Sequence, residues 1–578
     1  MNLVFFNEKG GIVVYEQKYN EWLEKDSLDE ELKAELSVMS DTEKKDAFYK
    51  DLEFGTGGMR GIIGAGTNRM NVYTLRKANV GFGLYLKKQY PNAISRRVVI
   101  AHDNRHKSRE FAEESAKVLG TFGIKCYLFD DLRATPELSF AVRHLNAIGG
   151  IVVTASHNPP NYNGYKIYDE NGCQLTPKYA DQVIDFVNQV EDVFAIETMN
   201  IEQMKKQELF EIIGESIDRA YLDALDSVLF EDEKEKNIKL IFTPLHGASA
   251  EIGLAALKRH HFDVVAVKEQ MVHDPNFTTV SSPNPENKEA FALALEYGKK
   301  HDADLLIATD PDGDRLGIAV KHDGDYKFLT GNQTGAVMIE YIVRKKKENH
   351  TLPKKGMIYN TIVTSDFGAV IARSYGLSVV STLTGFKFIG EQAKLIEDTD
   401  QEFVFGYEES YGYVVKDFVR DKDSIQALLL ISEIANELKA QGKTIYDQLL
   451  NLYAEYGYYL EDLVNIVLEG AEGERKIKEI IEFFRKEKPS QFSHKKLVRF
   501  EDYQEQKAYT GDQVEELTLP KSNVLKFIFD DDSWFVCRPS GTEPKLKIYI
   551  GVIGESLADA KAKNEAFKKE IMKLVEQI

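Results

Sequence analysis

Cysteine is scarce: Cys126, Cys173 and Cys537 are the only three in 578 residues. Their odd number and wide scatter do not suggest a disulfide framework and fit a reducing compartment. No apolar run approaches the length of a membrane span, and residues 1–9 lack the layout of a signal peptide. The expected location is the cytoplasm, with no membrane partner. Basic residues are outnumbered, 73 against 93 acidic, for a net charge of −20. That argues against general nucleic-acid binding, which needs a basic face. It also means that an anionic substrate must be met by locally placed Arg and Lys. No long stretch is low-complexity or linker-like. What remains is ordinary globular material, 43% apolar and 29% charged. The chain is too long for one core, so three to five domains are expected.

The hydrophobic pattern divides the chain. From about Tyr15 to Leu52 it reads as helical, with capping boxes at Ser27-x-x-Glu30 and Ser40-x-x-Glu43. Short apolar strands then alternate with amphipathic stretches to about residue 440. Val98–Ala101, Cys126–Phe129 and Ile151–Val153 form one set. Leu240–Phe242, Val264–Val267 and Leu305–Ala308 form a second, and Met357–Tyr359, Leu377–Val380 and Phe403–Phe405 a third. The pattern repeats although the residues do not, which predicts similar α/β layers. Toward the end, Leu525–Phe529, Trp534–Cys537 and Leu546–Ile550 alternate like half-exposed antiparallel strands. A closing helix over about 557–578 follows, so this part reads as a smaller α+β domain. Glu501–Glu516 is acidic and reads as a surface loop.

Two strand-end segments carry the chemistry. Thr154-Ala155-Ser156-His157-Asn158-Pro159-Pro160 follows Gly150–Val153, and Asp310-Pro311-Asp312-Gly313-Asp314-Arg315 follows Leu305–Ala308. Open α/β sheets place ligands at such ends. Ser156 offers a hydroxyl nucleophile, which needs a base or metal to help it. It is not in a Gly-x-Ser-x-Gly elbow. His157 is adjacent, but neighbouring side chains on an extended loop point apart. Lys166, in Asn163-Gly164-Tyr165-Lys166, suits proton transfer if burial and cationic neighbours lower its pKa; it also reads as a solvated lysine.

Asp310, Asp312 and Asp314 suit a hard divalent cation such as Mg²⁺. An EF-hand is excluded: counting from Asp310, Gly falls at position four and Lys321 at position twelve. An aspartyl phosphatase shares the Asp-x-Asp-Gly string but leaves the Ser156 loop unexplained. A plain charged turn would set three carboxylates against one another. Arg315 offsets part of that charge or contacts phosphate. Gly406-Tyr407-Glu408-Glu409-Ser410-Tyr411-Gly412, after Phe403–Phe405, suits sugar hydroxyls. Arg538-Pro539-Ser540-Gly541-Thr542-Glu543-Pro544-Lys545, between two strands, has the donors of a phosphate cradle, though any one such loop also reads as a turn.

All four loops in this order resemble the α-D-phosphohexomutase superfamily over nearly the full length. Phe54-Gly55-Thr56-Gly57-Gly58-Met59-Arg60-Gly61, Thr243-Pro244-Leu245-His246-Gly247 and Thr384-Gly385-Phe386-Lys387 support the likeness. The resemblance implies three similar mixed α/β domains and a smaller α+β domain around a central cleft. The expected boundaries are 1–210 with the phosphoserine loop, 211–322 with the metal loop, 323–450 with the sugar loop and 451–578 with the phosphate loop. It implies a phosphorylated Ser156, with Lys166, Arg60 and His157 as catalytic neighbours. Mg²⁺ would be held by Asp310, Asp312, Asp314 and an oxygen on Ser156. Arg315, Lys387, Glu408, Ser410, Arg538, Ser540, Gly541, Thr542 and Lys545 would bind substrate.

The implied reaction is reversible conversion of α-D-glucose 1-phosphate to glucose 6-phosphate, with glucose 1,6-bisphosphate as intermediate and activator. Glu408-Glu409-Ser410 and Lys387 look like the phosphoglucomutase branch. Tyr407 and the Thr384–Lys387 string look like its long subgroup, which includes phosphopentomutases. A pentose or mannose phosphate is the alternative substrate, and a phosphatase or a phosphosugar-binding relative the alternative class. The expected partner is a small phosphosugar, and the expected state a monomer or homodimer.

Overall fold

The computed structural model describes residues 10–55, 58–91, 97–231, 236–468, 470–489, 491–540 and 545–578. These form two compact units. One comprises Met1–Phe328, Ile389–Thr399 and Tyr411–Glu437, the other Leu329–Phe388, Asp400–Ser410 and Leu438–Ile578.

In the first unit, strands Val98–His102, Cys126–Phe129 and Gly149–Val153 are buried at every position. Continuous apolar strands of this kind form parallel sheets covered on both faces. Val98–His102 pairs in parallel with both others, so the first strand of the trio lies in the middle. Lys239–Thr243 is likewise flanked by Asp263–Ala266 and Leu305–Thr309. In the second unit, Gly356–Thr361 is flanked by Ser378–Thr382 and Glu402–Glu408. The predicted repetition is therefore a repetition of strand order. It has a functional correlate: in each trio a candidate loop follows the third strand. After the first two loops the chain returns antiparallel to that strand, as Tyr162–Asp169 and Leu316–His322. Tyr162–Asp169 mixes polar with apolar residues, which hid it from the hydrophobic reading; Leu316–Val320 is an apolar run that the reading passed over.

Helices Gly10–Leu23, Glu30–Val38 and Asp41–Phe48 precede the first sheet. Trp22 anchors them, packing edge-on against Phe48, Tyr73 and Phe194. The Ser40–Glu43 capping box forms. The Ser27 box does not: Asp29 caps the second helix, accepting from the backbone of Glu31 and Leu32. The Ser27 carbonyl instead accepts from the Tyr73 hydroxyl.

The C-terminal sheet is antiparallel, in the order Tyr458–Val467, Lys545–Gly554, Trp534–Pro539, Leu525–Phe529, Lys495–Asp502, Lys507–Thr510, Gln513–Glu516. Two sequence expectations are corrected here. Glu501–Glu516 is not a loop but includes a hairpin, whose exposed edge strand Gln513–Glu516 tolerates charge because it faces water. Trp534–Cys537 is not half-exposed but buried throughout. Phe535 and Cys537 pack with Phe484 and Phe567 from the helices Gly470–Glu487 and Leu557–Gln577. Trp534 and Val536 pack on the other face with Ile362, Val363, Leu383 and Phe388. Among the described residues, no helix is long and apolar enough to cross a membrane.

Candidate active site

Strand pairing assembles most of the predicted residues of the first unit. Lys166 lies on the return strand opposite Val152, just before the serine loop. Arg60, on Met59–Ile62, pairs with Gly164 on the far side of the same return strand. Gly164 permits this packing: a Cβ there would meet the Thr154 carbonyl oxygen at 2.4 Å. Beyond the strands, Arg60 Nη1 donates to Asn158 Oδ1 (2.8 Å).

The serine and aspartate loops meet. Ser156 Oγ donates to Asp310 Oδ2 (2.7 Å) and lies 3.1 Å from His157 Nδ1. The extended-loop argument that separated Ser156 from His157 is thus corrected. Ser156 has φ +51°, a left-handed conformation, and this turn brings the neighbouring side chains together. Asp310 Oδ1 accepts from the backbone of Asp314 and Arg315, which closes the metal loop into a tight turn around Gly313 at φ +69°. The amide of Thr135, first residue of the helix Thr135–His144, donates to the Asp312 carbonyl (2.8 Å).

All three aspartates are buried, and one carboxylate oxygen from each lies within 4.8 Å of the others. Their charge is met from two sides. Lys166 Nζ is 2.8 Å from Asp312 and 3.6 Å from Asp314. Lys422 Nζ is 3.1 Å from Asp314. Asp312 Oδ1 and Asp314 Oδ1 are nevertheless buried with no hydrogen-bond partner. Buried carboxylates clustered this closely, two with an unsatisfied oxygen, could hold a cation, so this cluster is a candidate metal site.

The electrostatics follow the packing. Burial, reinforced by Asp312 and Asp314, pushes the Asp310 carboxyl well up. Burial also pushes at Asp312, but Lys166 and the hydrogen bonds around it hold that carboxyl below the usual range. Burial works to lower Lys166, yet the two aspartates raise it, so the lowering on which the sequence reading made proton transfer conditional does not occur. Lys166 is therefore a largely buried, ion-paired cation rather than a solvated one. Burial, then Arg315 and Arg60, hold His157 well below its ordinary value, so its imidazole is neutral. Arg315 forms an ion pair with Glu286, and its backbone bridges to Gly412.

Two basic residues escaped the sequence reading. Lys422 sits in Arg420-Asp421-Lys422-Asp423, and Arg105 follows strand Val98–His102; both look like ordinary surface charge. Arg105 is fully buried against the serine loop.

In the second unit the strand Glu402–Glu408 runs three residues past the predicted end, so Glu408 lies on its last position. Glu408 Oε1 accepts from the Gly385 backbone (2.8 Å), joining the sugar loop to the Thr384–Lys387 string. Lys387 lies in the first turn of the helix Phe386–Leu395. Glu409 accepts from Thr361 and Thr364; Ser410 follows, half-buried. Arg538, Ser540 and Lys545 lie at the adjoining ends of two paired antiparallel strands, with the Ser540 amide donating to the Lys545 carbonyl (2.7 Å). Gly541 and Thr542 lie outside the described residues.

Comparison with known proteins matches this arrangement. Family models for phosphoglucomutase/phosphomannomutase match residues 51–193 (alpha/beta/alpha domain I), 219–324 (domain II), 330–456 (domain III) and 494–567 (C-terminal domain). A phosphoglucomutase of Staphylococcus aureus (strain MRSA252) is 38% identical over 520 residues, covering 89% of this chain and 92% of the relative. One of Staphylococcus epidermidis (strain ATCC 12228 / FDA PCI 1200) is 36% identical over 555 residues, covering 94% and 99%. The fold is shared with the open form of the Paramecium phosphoprotein parafusin, a phosphoglucomutase (TM-score 0.69, 20% identity, 91% of this chain and 96% of that one). It is shared equally with a putative phosphomannomutase from Thermus thermophilus (TM-score 0.68, 22% identity, 91% and 99%). Four ordered domain matches and relatives aligned over most of their length agree with the serine and aspartate loops: the chain belongs to the phosphoglucomutase/phosphomannomutase family of the α-D-phosphohexomutase superfamily.

Proposed function

We propose that the protein is a phosphoglucomutase, interconverting α-D-glucose 1-phosphate and glucose 6-phosphate through a phosphorylated Ser156. The observation that carries this is the meeting of Ser156 Oγ with Asp310, beside two buried carboxylate oxygens that lack partners. A serine hydroxyl at a divalent-cation site suits phosphoryl transfer.

The free hydroxyl of the sugar attacks the phosphorus on Ser156. A bond from phosphorus to the sugar oxygen forms, and the bond to Ser156 Oγ breaks. The product is glucose 1,6-bisphosphate, which turns around and returns its other phosphate to Ser156. The attacking hydroxyl gives up a proton and the departing Ser156 oxygen gains one. Neutral His157, 3.1 Å from Ser156 Oγ, suits acceptance; cationic Lys166 suits donation. Arg60 offsets charge on the transferring group, and Arg315 binds it. Mg²⁺, held by Asp310, Asp312, Asp314 and an oxygen of phosphorylated Ser156, would supply electrostatic stabilisation of that group. Lys387, Glu408 and Ser410 hold sugar hydroxyls. Arg538, Ser540, Gly541, Thr542 and Lys545 hold the phosphate that is not reacting. The domains carrying these loops are 1–210, 211–322, 323–450 and 451–578. Glucose 1,6-bisphosphate acts as activator by phosphorylating Ser156. The three buried, unpaired cysteines suit work in the cytoplasm.

Phosphorus NMR tests this reading. Glucose 1-phosphate with Mg²⁺ and a trace of glucose 1,6-bisphosphate converts to the 6-phosphate, while mannose 1-phosphate and ribose 1-phosphate change slowly. Faster conversion of either of those would make the protein a phosphomannomutase or phosphopentomutase instead. Release of inorganic phosphate would overturn the mutase reading.

A further inference from the structure

We infer that Arg105 is a positioning residue for the transfer step, holding Ser156 in its reacting conformation through the backbone of the serine loop. The inference rests on the reading of Ser156 as the phosphorylated residue. At φ +51°, Ser156 occupies a region that non-glycine residues seldom adopt, and such a conformation persists only where its surroundings over-determine it. The loop's own bonds are few: the Ser156 amide donates to Thr154 Oγ1, the Asn158 amide to the Ala155 carbonyl and the Tyr162 amide to the Pro159 carbonyl. Pro159 and Pro160 carry no N–H at all.

Side chains also reach the loop from outside, Asp310 at Ser156 Oγ and Arg60 at Asn158 Oδ1, but Arg105 gathers its backbone carbonyls. Its Nη2 donates to the carbonyls of Ser156 (2.5 Å) and Asn158 (2.5 Å). Its Nη1 donates to those of Pro159 (2.7 Å) and Tyr162 (3.1 Å). One guanidinium thus gathers four carbonyls from seven consecutive residues, among them that of Ser156 itself. The group is fixed in turn. Its side chain is fully buried, Asp103 lies 3.3 Å from Nε, and the Phe277 ring lies 5.0 Å beneath. Asp103 accepts from the Arg105 amide and from Ser108 Oγ. Asp103 follows strand Val98–His102, whose neighbour Gly149–Val153 leads into the serine loop. Arg105 therefore ties that loop to the adjacent strand of its own sheet. A lysine ammonium is a point donor and lacks the planar fork needed to span four acceptors.

Parent, R105K, R105A and S156A are compared at a temperature where thermal melting shows each folded. Misplacing a reacting group costs about 10²-fold, so R105K lowers kcat by about 100-fold. KM for glucose 1-phosphate stays within about threefold, because the substrate contacts remain. Phosphorylation of Ser156 by glucose 1,6-bisphosphate, followed by intact mass, slows by the same factor as kcat. Guanidinium hydrochloride at non-denaturing concentration restores about tenfold of the lost rate to R105A, and none to S156A. Full activity in S156A would sink the underlying reading. An inactive S156A beside an R105K with parental kcat would overturn the inference alone, as would a loss in R105K that only tracks loss of folded protein.

Discussion

The serine loop and the phosphate loop are proposed to handle the same chemical group, yet they are built in opposite ways. Ser156, Asp310, Asp312 and Asp314 are buried, and their loops are bonded to each other, to Lys166 and Lys422, and to Arg105. Arg538, Ser540 and Lys545 are half-exposed at the adjoining ends of two paired strands of an antiparallel sheet. The difference matches the two tasks. Charge that develops during transfer is best met by fixed, dry dipoles and ions, which need no reorganisation. A grip that must accept either phosphate of a turning intermediate needs strong donors and easy exchange. Rigidity follows the bond-making step, and openness follows the holding step.

Breaking each loop in turn sharpens this contrast. Ser156→Ala removes the acceptor of the phosphoryl group and should lower kcat by at least about 10³-fold, measured as turnover of glucose 1-phosphate. Asp314→Asn removes one carboxylate charge from the candidate metal site. It should cost about 10²–10³-fold in kcat, and a Mg²⁺ titration should show weaker binding. Lys422→Ala leaves Asp314 short of a partner and should cost about 10–100-fold, with a lowered melting temperature. Ser540→Ala should act differently: KM rises by about 3–10-fold while kcat stays nearly unchanged. A kcat loss at Ser540 as deep as that at Ser156 would erase the contrast between the loops.

The smallest effect concerns stability alone. Glu137 is fully buried on the helix that reaches the metal loop, and burial, then nearby Asp218, raises its pKa from 4.5 to about 8. A carboxyl raised on folding is protonated in the folded state while the unfolded chain has lost its proton. Its contribution is therefore fully present below about pH 4.5 and is lost as pH rises through about 8. Glu137→Gln should flatten stability between those values, by a few kcal/mol at most, in urea melts at stepped pH. An unchanged slope would contradict this assignment.

Much of this was legible in the sequence because the chemistry is concentrated. Each loop packs its reactive residues into a few positions directly after a buried apolar strand, and such strands announce themselves by composition. Lys422 and Arg105 were not legible for the converse reason. Each is an ordinary charged residue, and only tertiary packing turns it inward, beside Asp314 or beneath the serine loop. The Ser156–His157 contact depended on a left-handed residue that composition does not reveal. The hairpin within Glu501–Glu516 was hidden because an edge strand can be acidic on every exposed position and still pair through its backbone.

The most direct test labels the phosphate on Ser156. Protein phosphorylated there with isotopically marked phosphate is mixed with one equivalent of glucose 1-phosphate and Mg²⁺, and the label is followed by intact mass and phosphorus NMR. The account predicts that the label leaves Ser156 and appears in glucose phosphates. Label that remains on the protein while glucose 6-phosphate forms, or that emerges as inorganic phosphate, would contradict it.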